Sequence, residues 1–373
     1  MKNIFLANLA IVSVCGLFIM PEAIAQQFRS PEVHADRSVT LRFRSQSADV
    51  VKVSVAGQNL DLVKGDGHVW EATTKPLPAG IHDYMFDVDG TKVLDPSNRN
   101  VKKWFTLASM VEVPGTPPLL TEFQEVPHGV VQRLIYPSQT VGHSRPVIVY
   151  TPPDYDAKSD KTYPLVILMH GFGDDETAWT EVGRAHLIAD NLLAQNKISG
   201  CVIAMPFGHP VLPPFGKRPE NYFVENNDLY EQDLTKDLLP FLESRFNVRT
   251  DAASRSIVGL SMGGGHAIDT GLKNLDKFSS IGAFSAAAPE ADSEDLVSKY
   301  SGLFGSPPAA NQLKHFWIPI GKQDFLLDRN RKFVELLTEK KVQHDFKLTD
   351  GGHSWDVWRV YLPEFLQMVV PYE

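Results

Sequence analysis

A chain of 373 residues with 43% hydrophobic and 22% charged content has the apolar side chains for a sizeable core and too little charge for a disordered segment. Its net charge of −9, carried without a long run of like charge, argues against nucleic acid and anionic membrane surfaces as partners. The length suits two domains, or one large domain with an appendage.

At the start, Lys2 precedes an apolar run from Ile4 to Met20, then Pro21 and Ala23-Ile24-Ala25 before Gln26. This is the pattern of a secretory signal peptide over residues 1–25, cut after Ala25. The alternative is a membrane anchor, but the run carries Asn8 and Ser13 and is marginal for spanning. The expected location is therefore secreted or periplasmic, with no membrane association after cleavage. The mature chain would keep Cys201 alone, which excludes an intramolecular disulfide. Within Cys201-Val202-Ile203-Ala204-Met205 this cysteine reads as a small buried hydrophobe.

Residues 26–111 read as all-β. Val39-Thr40-Leu41-Arg42-Phe43 and Val51-Lys52-Val53-Ser54-Val55 alternate apolar and polar, and Asp89-Gly90 marks a hairpin turn. Short strands at this spacing, without a helical stretch, predict a small β-sandwich. The pieces Val69-Trp70-Glu71, Pro76-Leu77-Pro78-Ala79-Gly80, Phe86-Asp87-Val88-Asp89-Gly90 and Asp95-Pro96-Ser97-Asn98 resemble the immunoglobulin-like module at the N-terminus of isoamylases and glycogen-binding proteins, a carbohydrate-binding module family. That resemblance implies that Trp70, Tyr84 and Trp104 could stack on sugar rings. The competing expectation is that Trp70 and Tyr84 point inward, since each lies in an alternating strand.

Residues 112–129, with Pro114-Gly115-Thr116-Pro117-Pro118, read as a stiff linker. Over residues 130–373, strand patterns alternate with helical ones, which predicts an α/β fold with a mostly parallel central sheet. Tyr163 to Met169 and Cys201 to Met205 are continuous apolar runs suited to buried strands, and Leu229 to Phe246 is amphipathic with helical spacing.

Ser256-Ile257-Val258-Gly259-Leu260-Ser261-Met262-Gly263-Gly264 is a short strand running into a Gly-x-Ser-x-Gly turn and a helix start. This is the nucleophile elbow of an α/β-hydrolase, with Ser261 as the nucleophile. A serine needs a base, and the base needs a carboxylate to set its tautomer; in this fold they follow in the order Ser, acid, His. His353, in Asp350-Gly351-Gly352-His353 after the last strand, is the expected base, ahead of His266 and His344. Asp324, closing the strand Phe316 to Ile320, is the expected acid, ahead of Asp328 and Asp350. The oxyanion should be met by the backbone N–H groups of Met262 and of Phe172, with Gly171 as the alternative for the second. His170 is expected to pack below the site. No metal motif and no dinucleotide fingerprint is apparent, so no cofactor is expected.

Leu168-Met169-His170-Gly171-Phe172-Gly173-Asp174 through Trp179, Gly259-Leu260-Ser261-Met262-Gly263, Gly321-Lys322-Gln323-Asp324 and Gly351-Gly352-His353-Ser354-Trp355 resemble carbohydrate esterase family one, the feruloyl and acetylxylan esterases. They also resemble esterase D and the mycolyltransferase-like enzymes. The resemblance implies a triad of Ser261, Asp324 and His353. With the signal peptide and the β module, it implies an enzyme that releases ferulate or acetate from plant cell-wall xylan. Trp179, Phe215 and Tyr222 are candidate acyl-binding side chains, each of which could equally be a packing residue; Trp355 and Trp358 are expected to pack the terminal helix. Two other readings stay open: a siderophore trilactone esterase, and a glycan-binding protein with a vestigial hydrolase domain.

Overall fold

The computed structural model describes residues 29–213, 219–290, 300 and 309–372. The expected signal peptide and Phe215 lie outside the described residues.

The N-terminal strands are β1 (Glu32–Val33), β2 (Val39–Arg44), β3 (Val51–Val55), β4 (Gln58–Asp61), β5 (Val63–Lys64), β6 (Val69–Thr73), β7 (Gly80–Val88), β8 (Thr91–Val93), β9 (Val101–Lys102) and β10 (Ala108–Val113). They pair antiparallel in two sheets. One has the order β1-β2-β6-β5; the other runs β4-β3-β7-β10-β9, with β8 added to β7. Along β3, Val51, Val53 and Val55 are buried while Lys52 and Ser54 are exposed, as expected of a sheet with one wet face. Side chains from both sheets share one core, including Val39, Leu41, Val53, Trp70, Phe86 and Val111. Trp70 and Tyr84 therefore point inward, at 7% and 2% exposure, and are closed to a sugar ring. The Tyr84 hydroxyl donates to Asp95 Oδ2 at 2.7 Å, which satisfies the one polar atom of that buried ring.

The second sheet system consists of β11 (Val130–Ser138), β12 (His143–Thr151), β13 (Leu165–Met169), β14 (Val202–Pro206), β15 (Arg255–Leu260), β16 (Ser280–Phe284), β17 (His315–Gly321) and β18 (Asp345–Thr349). Their order is β11-β12-β14-β13-β15-β16-β17-β18. β11, β12 and β14 pair antiparallel, and from β14 to β18 the strands are parallel. This is an α/β-hydrolase-like fold.

Because side chains alternate along each strand, the sheet feeds two cores. Leu165, Ile167, Ile257, Ile281 and Phe316 face the helices Tyr222–Asp233, Leu239–Arg245, Met262–Lys273 and Leu327–Glu339. Val166, Leu168, Val258, Leu260 and Trp317 face Ala185–Ala194 and Trp355–Val369. Ile81 and Met110 of the N-terminal sheets join this second core, so the two parts of the chain are packed together. The stretch from 114 to 129 is likewise tied down. Asn191 Nδ2 donates to the carbonyls of Leu120 and Glu122, and His128 pairs with the buried Asp190 at 2.9 Å.

The expected helix over Leu229 to Phe246 starts earlier, at Tyr222, and widens into a π-turn at Leu234–Leu238 before continuing to Arg245. Pro240 has no N–H to give the preceding turn, and its ring would collide with the carbonyl four residues back; the wider turn relieves both.

Candidate active site

β15 ends at Leu260 and the helix Met262–Lys273 starts two residues later, so Ser261 must make the whole turn. It does so at φ 54°, ψ −115°, a strained conformation for a residue with a Cβ. Three backbone bonds hold it there. Ser261 N–H donates to Phe284 O at 2.9 Å, and Ser261 O accepts from Gly265 at 3.0 Å and Ala287 at 2.8 Å. The flanking glycines are needed because backbone passes where side chains would stand. A Cβ on Gly259 would lie 2.5 Å from Gly263 O, and one on Gly263 would lie 2.5 Å from His170 O.

Asp324 follows β17 and His353 follows β18, both at the carboxyl edge of the sheet. Their loops are laced together: Gln323 N–H donates to Gly351 O at 3.0 Å, and Gly351 N–H to Gln323 Oε1 at 2.8 Å. The imidazole Nε2 of His353 is 3.0 Å from Ser261 Oγ, and its Nδ1 is 2.9 Å from Asp324 Oδ2. Burial raises the Asp324 carboxyl, but the bonds from His353 and from the Leu326 N–H outweigh it and hold the group below the ordinary carboxylate range. With Asp324 ionised, Nδ1 carries the proton and donates, leaving Nε2 to accept from the serine hydroxyl. Phe325 and Trp358 pack against the imidazole at 4.4 and 4.9 Å between ring centroids and limit its swing.

The competing candidates are elsewhere. His266 is fully buried and stacked on Tyr230 at 4.4 Å, and His344 Nδ1 is bonded to Val342 O. Asp328 and Asp350 are exposed and pair with Arg331 and Lys322.

Gly171 lies against the nucleophile: a Cβ there would meet Leu260 Cδ1 at 2.6 Å and Ser261 Cβ at 3.3 Å. Phe172, the next residue, lines the same cavity as Ser261 and His353, and Met262 adjoins Ser261 as the first helical residue. His170 sits beneath this loop at 1% exposure. Its Nδ1 is bonded to Gly171 O and its Nε2 accepts from Gly208 N–H, both at 2.8 Å; burial lowers its pKa and keeps it neutral.

The acyl-pocket candidates need correction. Trp179 is 1% exposed, donates from Nε1 to Met169 O at 2.9 Å and packs edge-on against Trp355 at 5.0 Å; it belongs to the core behind the elbow. Tyr222 is 2% exposed, with its hydroxyl taken by His209 Nδ1 at 2.8 Å and Val211 O at 3.0 Å, and its ring meets Phe172 edge-on. An aromatic's sequence position does not tell a lining role from a supporting one. Trp355 and Trp358 pack each other at 5.4 Å as expected, yet both also line the cleft.

Sequence reasoning missed the other wall. The cavity at Ser261, about 440 Å³, is also lined by His82, Asp83, Lys102 and Thr106 from the N-terminal sheets. Its cations are matched by acids: Lys102 pairs with Asp83 at 3.4 Å, and Arg359 with Asp356 at 2.9 Å while also reaching Ile81 O. Asp174, on the loop after β13, meets this wall through Thr106, its carboxyl raised by burial. Trp104, a candidate sugar platform, instead packs on Phe207 at 5.4 Å and His209 at 4.9 Å. The apolar cluster Trp104-Phe105, outside any alternating strand, was the only signal of this docking.

An ionised acid, a histidine with its ring nitrogen on a serine hydroxyl, and a serine raised on a strained turn can together make and break an ester bond. Residues 138–368 match the family described as "Putative esterase", and the chain belongs to it. It is an esterase of the serine type. The endo-1,4-beta-xylanase/feruloyl esterase of Xylanibacter ruminicola is 30% identical over 233 residues, covering 60% of this chain; the chain spans only 32% of that relative's length. A solved ferulic acid esterase is 25% identical with a TM-score of 0.56, over 65% of this chain and 98% of that one. The enterobactin esterase of Shigella flexneri, solved in the presence of enterobactin, is 18% identical with a TM-score of 0.65, over 95% of this chain and 99% of that one. That likeness extends the shared fold to the N-terminal strands.

Proposed function

We propose that this esterase releases ferulate, or acetate, from xylan side chains through an acyl-enzyme on Ser261. The Ser261 oxygen attacks the acyl carbon while His353 Nε2 takes its proton, and Asp324 stabilises the imidazolium. The N–H groups of Phe172 and Met262 receive the oxyanion. Collapse returns the proton from His353 to the departing sugar alcohol. Water, deprotonated by the same nitrogen, then attacks the acyl carbon and frees Ser261 and the carboxylic acid. The observation that carries this reading is the run of contacts from Ser261 through His353 to Asp324, at 3.0 and 2.9 Å. Its intactness weighs against a vestigial hydrolase.

Ferulate is favoured over acetate by the size of the cleft and by Phe172 and Trp358 in its lining. Export fits a polymer-borne substrate, and the apolar run from Ile4 to Met20 supports it. Glycan binding by residues 26–111 would have to use surfaces other than Trp70 and Tyr84.

The second reading, a siderophore trilactone esterase, is favoured by the fold likeness over both parts of the chain. Cleft charge speaks for a neutral ester. Among the described residues, Asp83, Asp174 and Asp356 oppose Lys102 and Arg359, so this part of the lining carries no cationic surplus for a catecholate–metal complex. The test is a panel of methyl ferulate, acetylated xylan and a catechol trilactone, each with wild type and Ser261→Ala. Turnover of methyl ferulate lost in the variant supports the proposal. Preference for the trilactone, or turnover that survives in Ser261→Ala, overturns it.

A further inference from the structure

Between β9 and β10 the N-terminal part sends a short strap, Lys103 to Thr106, over the loop that carries Phe172. At its apex Trp104 takes φ +70°, in the left-handed region that a tryptophan rarely occupies. That conformation accompanies the seating of its indole on Phe207 and His209. The next ring, Phe105, lies parallel to Phe172, 8° between planes and 6.4 Å between centroids. Thr106 Oγ1 donates to Asp174 Oδ1 at 2.9 Å, and Lys103 pairs with Glu181. Gly173, at φ +86°, leaves only van der Waals room beneath: a Cβ there would be 3.4 Å from Phe105 Cβ and 3.5 Å from Thr106 Cγ2.

The opposite side of the same loop is equally braced. His170 bonds Gly171 O from below and ties it to Gly208, while the Phe172 ring meets His209 edge-on at 5.4 Å. Loop 171–174 is thus held between the hydrolase core and the strap. Glycines at 171 and 173 leave the loop little stiffness of its own, so contacts from both sides must hold the Phe172 N–H in place.

We propose that the strap, through Thr106 on Asp174 and Phe105 on Phe172, is a positioning element that sets the oxyanion donor of Phe172. The N-terminal strands would then serve the chemical step and not glycan capture alone. This rests on the acyl-enzyme reading above, with Phe172 as a donor. Oxyanion stabilisation depends on donors fixed in advance, and a displacement of about 1 Å can cost about 100-fold in rate.

The test is kinetic. Thr106→Val removes the hydrogen bond at constant shape, Thr106→Ser retains it, and Phe105→Leu weakens the ring contact by an independent route. Each is assayed on methyl ferulate and on p-nitrophenyl acetate, whose acyl group is far smaller than ferulate, at a temperature where circular dichroism shows the fold intact. The expected result is a fall in kcat of about 10- to 100-fold on both substrates for Thr106→Val and Phe105→Leu, with KM within about twofold and Thr106→Ser close to wild type. Wild-type kcat on p-nitrophenyl acetate, or a loss confined to KM on methyl ferulate, overturns the proposal. Such a result alongside an inactive Ser261→Ala enzyme would remove the positioning role and leave the acyl-enzyme reading standing.

Discussion

Arg145 and Asp233 form an ion pair at 2.8 Å with both side chains 1% exposed, joining the antiparallel strand β12 to the helix just before its π-turn. Arg145 also donates to Phe207 O at 2.5 Å and His209 O at 3.3 Å, the loop on which His170 and Trp104 rest. Tyr136 OH adds a bond to Asp233 at 2.6 Å. A buried pair of this kind contributes little net stability when whole, but removing one partner strands a charge and costs about 3–5 kcal/mol. Arg145→Met is therefore expected to lower the urea midpoint strongly. The double variant Arg145→Met/Asp233→Leu should recover much of the loss. A double variant no more stable than the single one would refute this assignment.

Asp324 holds its proton donor from both oxygens, at 2.9 and 3.0 Å. In Asp324→Asn the amide keeps the shape but can present an N–H to Nδ1, which turns the imidazole to the tautomer with Nε2 protonated. That nitrogen then has no lone pair for the serine proton. The expected effect is a fall in kcat of about 10⁴ with the fold retained, read from steady-state kinetics beside a thermal melt.

Gly263 is set by contact with the backbone of the neighbouring strand: a Cβ would stand 2.5 Å from His170 O and 2.7 Å from Met169 O. Neither oxygen can retreat, because both belong to β13 or the loop directly after it. Gly263→Ala should cost about 1–3 kcal/mol and should displace the elbow enough to lower kcat. A melting temperature and kcat equal to wild type would show that the elbow has more slack than these distances allow.

The elbow was legible because its demands are local. Gly259, Ser261 and Gly263 answer a turn within five residues, and Asp324 and His353 each close a strand that an apolar run announces. The order of those strand ends places all three at one sheet edge. Trp179 and Tyr222 were not legible in the same way. A buried aromatic and a pocket aromatic share composition and spacing, and only packing against Trp355 or Phe172 separates them. Lys102, Thr106 and the Trp104 wedge were hidden for a different reason. Their function depends on how the N-terminal sheets dock against loop 171–174, and no periodicity along the chain records a contact between residues about 70 positions apart.

Acid should unfold this protein from well above the carboxylate range. Burial, the leading cause in each case, lowers the pKa of His186 to about 4, of His209 to about 2 and of His266 to about 4. In the unfolded chain these imidazoles take up a proton near pH 6.5. Below that pH the unfolded state binds more protons than the native state, so stability falls with falling pH until the native pKa values are reached. Their contribution is complete well above pH 6.5 and erodes below it, down to about 4 for His186 and His266 and to about 2 for His209, by up to about 1.4 kcal/mol per pH unit for each histidine. His128, raised chiefly by its bond to Asp190, and the burial-raised Glu112 and Asp174 act in the opposite direction and moderate the slope. Urea unfolding at intervals from pH 7.5 to 4.5 should show the midpoint dropping across this window. His266→Gln, which can still donate to Gly208 O but does not titrate, should make the drop shallower. A midpoint constant over that range would mean that the native protein admits protons to these sites.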